Sequence, residues 1–199
     1  MLNQFQKSLR FSISIAVITF VLAAIFSVVS SSLLSGFIWI FGLVIVLIIV
    51  LIGVIFDMLG IAAAAASEPP FHAMAAEKVP GAKQAIIIVR NADRFASFCN
   101  DVIGDISGIV SGTASAIVVI QLVNTFGHDD GSTLQIVISV LMTSTVAALT
   151  VGGKALGKTF AIHSSTKIIF FAARLIAIVE DKTKIKLLSN PAEASRKSR

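Results

Sequence analysis

Five residues carry the chemistry that an otherwise apolar chain offers: Asp57, Asn100, Asp101, Asp105 and Lys154. Each stands within, or at the edge of, a run of aliphatic residues. An ionisable group at the centre of a membrane span costs at least about 2.5–3.5 kcal/mol, so such groups are expected to face a bundle interior and to pair there. Asp101 and Asp105 are four apart and share one helical face, with the Asn100 amide beside them. Carboxylate, hydroxyl and amide oxygens are hard ligands suited to a small ion, and Asp57 and Asp105 are the candidates if that ion is a metal. Lys154 answers the same carboxylates with an ammonium group. Two chemistries stay open: a small ion or solute site, or a buried pair of Lys154 with Asp105 or Asp57 that fixes helix packing. Lys158 reads as an anchor that snorkels to the membrane surface.

Around these residues the chain spaces small side chains in steps of four. Gly104, Gly108, Gly112 and Ala116 form one series, and Gly153 and Gly157 another. That spacing lets helices approach closely, either inside a bundle or along a homodimer seam. The hydroxyls of Thr143, Ser144, Thr145 and Thr150 can bond to their own helix backbone. His128, Asp129 and Asp130 make a short acidic patch without the twelve-residue calcium-loop pattern. His72 and His163 read as loop or interface residues. Nucleophile-elbow, zinc-protease and phosphate-loop signatures are missing, so no enzyme is expected. A single cysteine, Cys99, excludes an internal disulfide framework.

The elements that must position these groups follow from composition. Of 199 residues, 56% are hydrophobic and 14% charged; a soluble domain carries about 25% charge, so a water-soluble globular enzyme is excluded. A span needs about 20 apolar residues, and residues 11–34, 37–66, 99–124 and 134–156 qualify. Between them lie SSSLLSG, SEPPFHAMAAEKVPGAK and TFGHDDGS, all loop compositions. Residues 82–98 and 167–179 mix apolar runs with charge and are expected as amphipathic helices at the membrane interface. The expected fold is therefore all-α: a polytopic membrane protein with four transmembrane helices and juxtamembrane amphipathic helices. Residues 1–35 form an N-terminal anchor. It reads as uncleaved, because its apolar stretch exceeds a signal-peptide core and SSSLLSG lacks an A-x-A site. Residues 36–181 form the main membrane domain and 182–199 a basic tail.

Charge orients the spans. Lys7 and Arg10 precede the first; Lys78, Lys83, Arg90 and Arg94 lie between the second and third; the remaining ten basic residues begin at Lys154. All sixteen fall on one side, which places both termini in the cytoplasm of a multi-pass cell-membrane protein. The net charge of +5 thus concerns the lipid bilayer as partner and not nucleic acid.

Residues 56–178 resemble the transmembrane domain of the CNNM family, which includes the bacterial CorB/CorC proteins. The order IFDMLGIAAAAASEPPFHAMAAEKVPGAKQA, then NADRFASF, then two further spans and a juxtamembrane helix is similar to that family's. GKALGKTFA, from Gly153 to Ala161, resembles the family's G-E-x-x-P-K-x-x-A. The resemblance implies a three-span bundle with one extra N-terminal span, a homodimer, and a role in magnesium or divalent-cation transport or homeostasis, with Mg²⁺ as the ion. Lys154 stands where the family has Glu and Gly157 where it has Pro; Asp57 and Leu59 stand near its ion-facing serines. No CBS domain is expected after residue 181. Lys for Glu replaces a ligand with a group that repels Mg²⁺. The alternative is a non-transporting membrane scaffold or partner subunit, with a Lys–Asp pair filling the former ion site.

Overall fold

The computed structural model describes residues 2–35, 38–125 and 133–183, and these are all-helical. The elements are α1 (Leu2–Ser35), α2 (Trp39–Ala65), α3 (Pro69–Ala76), α4 (Ala82–Arg90), α5 (Ala92–Ser97), a π-helical segment (Phe98–Gly104), α6 (Asp105–Thr125), α7 (Thr133–His163) and α8 (Ser165–Thr183). Four stretches are long and apolar enough to cross a membrane: Ser12–Ser32, Trp39–Ala65, Ala92–Thr125 and Thr133–His163. The third and fourth run past the limits expected from hydropathy. Nothing between Ala92 and the first span residues breaks a helix, so the helical run is continuous in sequence from α5 through the π segment into α6. Likewise α7 extends to His163 across Gly153 and Gly157, since isolated glycines weaken a helix without ending it.

The chain divides into two compact units. The first comprises Met1–Phe56 and Asn100–Ala155, the second Asp57–Cys99 and Leu156–Arg199. In the first, α1 packs along α6. Val102, Ile106 and Val110 form a buried strip with Ile15, Leu22 and Ile49 packed against it, and Leu34, Val46, Val50, Ala114, Val118 and Val146 form another. Glycine permits the approach of α2 to α6: a Cβ on Gly53 would stand 2.8 Å from that of Ser107. Near the C-terminal end of α1, Gln121 Nε2 of α6 donates to the Leu34 carbonyl at 2.7 Å.

The second unit is built differently. The segment SEPPFHAMAAEKVPGAK, expected as loop, contains α3. Pro69 and Pro70 occupy its first two positions, where a missing N–H costs nothing and the fixed φ suits a helix. Lys78 ends α3 in the left-handed region at φ 58°, with Val79 N–H bonded to Met74 O and Lys78 N–H to Ala75 O, the Schellman arrangement usually given to glycine. Gly81 is also left-handed (φ 92°), and a Cβ there would lie 2.8 Å from the Arg174 Cα. Glycine is therefore required both for conformation and for the seating of this turn on α8. Phe71, Ala85, Ile88, Ile169 and Ala173 close a core in which each is essentially inaccessible. The expected single helix over 82–98 is broken at Asn91, whose Nδ2 donates to the Ile87 carbonyl at 2.8 Å and ends α4.

Candidate functional site

Lys154 and Asp105 meet. Lys154 Nζ on α7 lies 4.0 Å from Asp105 Oδ1, the first residue of α6. This is an ion-pair contact at the outer limit of range and beyond the 2.7–2.9 Å of a charge-assisted hydrogen bond. The two partners differ in surroundings, the Lys154 side chain being 28% exposed and that of Asp105 66%. The long aliphatic stem accounts for the difference, since lysine covers its methylenes while extending the charge outward. The approach of its helix is set by Gly153, whose Cβ would touch Val54 Cγ2 of α2 at 3.0 Å.

The acidic pair on the third span faces outward instead of into the bundle. Asp101 and Asp105 are both exposed, whereas Val102 and Ile106, each one residue further, are buried. The apolar strip starting at Val102 occupies the packed side, so the carboxylates share a face, as their spacing requires, but it is the open one. The π segment over Phe98–Gly104 immediately precedes Asp105. Its i→i+5 bonds accommodate one more residue per turn, and such turns recur at functional sites. Asn100 sits in this segment, and its Oδ1 is buried with no hydrogen-bond partner among the described residues. Asp57 belongs to the second unit, part-buried about two turns before the C-terminal end of α2. Among the described residues no three His, Cys, Asp or Glu side chains converge closely enough to hold a metal ion.

The glycines divide into two kinds. Gly104 and Gly157 are buried and Gly153 is in contact, but Gly108 and Gly112 are exposed and an added Cβ on either meets nothing within 4 Å. Internal packing explains the first set only. Beside Gly108 and Gly112 runs a shallow groove of about 270 Å³, to which Ser111, Ser115, Thr143 and Thr150 contribute. The hydroxyls are turned to their own backbones: Thr143 to Ser139 O, Thr145 to Leu141 O, Thr150 to Val146 O and Ser115 to Ser111 O, at 2.7–2.8 Å. His128, Asp129 and Asp130 lie outside the described residues, as does most of the basic tail.

Sequence reasoning missed one polar cluster. Glu68 Oε2 accepts from His72 Nε2 at 3.0 Å and from Arg90 Nε at 3.1 Å. The His72 hydrogen bond is the largest influence holding the Glu68 carboxyl below its ordinary value; partial burial opposes it and Arg90 reinforces it. The spacing of Glu68 and His72 was a legible i,i+4 signal, whereas Arg90 comes from another helix. A second link, Gln84 Nε2 to Glu180 Oε2 at 3.0 Å, joins α4 to α8. Comparison of the chain with protein-family models, with curated proteins and with solved structures finds no match.

Proposed function

We infer that this is a non-transporting membrane scaffold or partner subunit, built on a CNNM-like arrangement, in which Lys154 takes the place of a bound cation. One observation carries this reading: the Lys154 ammonium lies 4.0 Å from the Asp105 carboxylate, putting a tethered positive charge beside one of the two candidate ligand acids. Away from bulk water such a charge acts strongly on its neighbours, and it opposes entry of Mg²⁺. The four apolar helices support an integral membrane protein; the one-sided basic residues support cytoplasmic termini and a cell-membrane location. Gly108 and Gly112, small and uncovered, support a second copy of the chain as partner.

A second reading, divalent-cation transport or homeostasis, draws on the buried and unpartnered Asn100 Oδ1 within a π turn, a hard oxygen that a cation would satisfy. Mg²⁺ flux into proteoliposomes separates the two. For the native chain, flux equal to that of protein-free vesicles is expected. Robust native flux, unchanged on Lys154→Glu, overturns the scaffold reading.

A further inference from the structure

Within the second unit, the α3–α4 turn and α8 enclose a cleft of about 830 Å³. Lys78, Lys83 and Arg174 line it, joined by the carboxylate of Asp181 and by the apolar surfaces of Val79 and Ile178. None of the three basic side chains makes an ion pair among the described residues. The nearby acid Glu180 already accepts a hydrogen bond from Gln84. Three cations therefore face one carboxylate across a concave surface. The walls are held in place, because Gly81 seats the turn directly on the Arg174 backbone and the buried core of Phe71, Ile88 and Ile169 lies beneath.

The surface next to the cleft identifies the source of the anion. Phe171, Leu175 and Ile178 are exposed on α8 at i, i+4 and i+7, with Val179 beside them. A continuous apolar stripe of this kind lies in the boundary between headgroups and acyl chains. Ile178 belongs both to the stripe and to the cleft, so the cationic side chains stand where that stripe meets the headgroup layer. We propose that the cleft binds the phosphate headgroup of an anionic phospholipid, with Lys78, Lys83 and Arg174 as its cationic contacts. Basic residues near an anionic surface attract it individually; here three of them converge on one concavity. The site is independent of the Lys154 pair.

The test uses the full-length chain in detergent, titrated with phosphatidylglycerol or phosphatidylcholine, with bound lipid counted by native mass spectrometry. The triple variant Lys78→Gln, Lys83→Gln, Arg174→Gln is expected to weaken phosphatidylglycerol binding at least about tenfold, given three lost attractions. A matched triple that removes three exposed charges outside the cleft, Arg94→Gln, Lys158→Gln and Lys167→Gln, is expected to weaken it clearly less than the cleft triple does, because those charges do not converge on one concavity. The charge-conserving triple Lys78→Arg, Lys83→Arg, Arg174→Lys retains binding and excludes misfolding as the cause, and Lys154→Glu leaves binding unchanged. Equal losses in the two neutralised triples, or no loss in the cleft triple, overturn the proposal. Displacement of the lipid by inorganic phosphate or glycerol 3-phosphate at equal concentration also overturns it, by assigning the cleft to a soluble anion.

Discussion

The two units of this chain solve the problem of helix packing by opposite means. In the first, long helices meet through small residues and aliphatic strips, as at Gly53 against Ser107, and leave large side chains such as Phe20, Phe41 and Leu141 uncovered. Its hydroxyls are spent locally on their own helices. In the second, short helices close around fully buried Phe71, Ile88 and Ile169, and side chains from different elements bond to one another, as in Glu68 with Arg90 and Gln84 with Glu180. The contrast is the one expected of a first unit set among lipid tails and a second unit whose core closes against water. Where the surroundings are as apolar as the side chains, hydrophobic burial gives little drive and van der Waals fit decides. Where water is at hand, burial of an aromatic ring dominates.

Substitutions can break this contrast or sharpen it. The largest effect is expected at the centre of the second unit: Phe71→Ala should cost about 3–5 kcal/mol through lost transfer energy and an unfilled cavity, seen as a large fall in thermal midpoint in detergent. A loss below about 1 kcal/mol would show that this core is not water-type packing. Next comes Gly53→Val in the first unit, where overpacking against Ser107 should cost about 1–3 kcal/mol. Gly112→Ala, by comparison, meets open space and should stabilise the single chain by up to about 1 kcal/mol through helix propensity. If Gly112→Ala instead abolishes a dimer observed by cross-linking, the open face is an interface between copies. The smallest effect is expected from pH. Because the folded Glu68 carboxyl is held low, its contribution is complete above the ordinary value of 4.5 and is lost as pH falls through the folded value. Glu68→Gln should remove that acid-side dependence by lowering stability at neutral pH by the same small amount, as followed by acid titration of helix content.

How much of this was legible in the sequence depended on whether a signal was local. The four apolar helices were, because length and composition alone define a candidate span. The start of α3 at Glu68–Pro69–Pro70 was marked by proline at its first positions, yet the polar character of the segment as a whole pointed to a loop. The outward face of Asp101 and Asp105 was not legible. In a helix apolar on nearly every side, periodicity does not say which face is packed, and the inserted π turn shifts the phase further. Charge sign and depth in the span leave Lys154 open to Asp105 or to Asp57 as a buried pair; the contact with Asp105 is instead made at 4.0 Å to a carboxylate that is mostly exposed. The cleft beside Arg174 was beyond reach, because it depends on a turn separated from α8 by more than eighty residues.

The self-bonded hydroxyls of α7 have a consequence for how that helix presents itself to lipid. Thr143 and Thr145 are exposed, but each hydroxyl hydrogen is directed to a carbonyl one turn back, so the outer surface offers their γ-methyl groups. To a surrounding acyl chain these threonines are close isosteres of valine. The stretch of α7 around Thr143 and Thr145, whose letters suggest a polar stripe, is thus suited to an apolar surrounding.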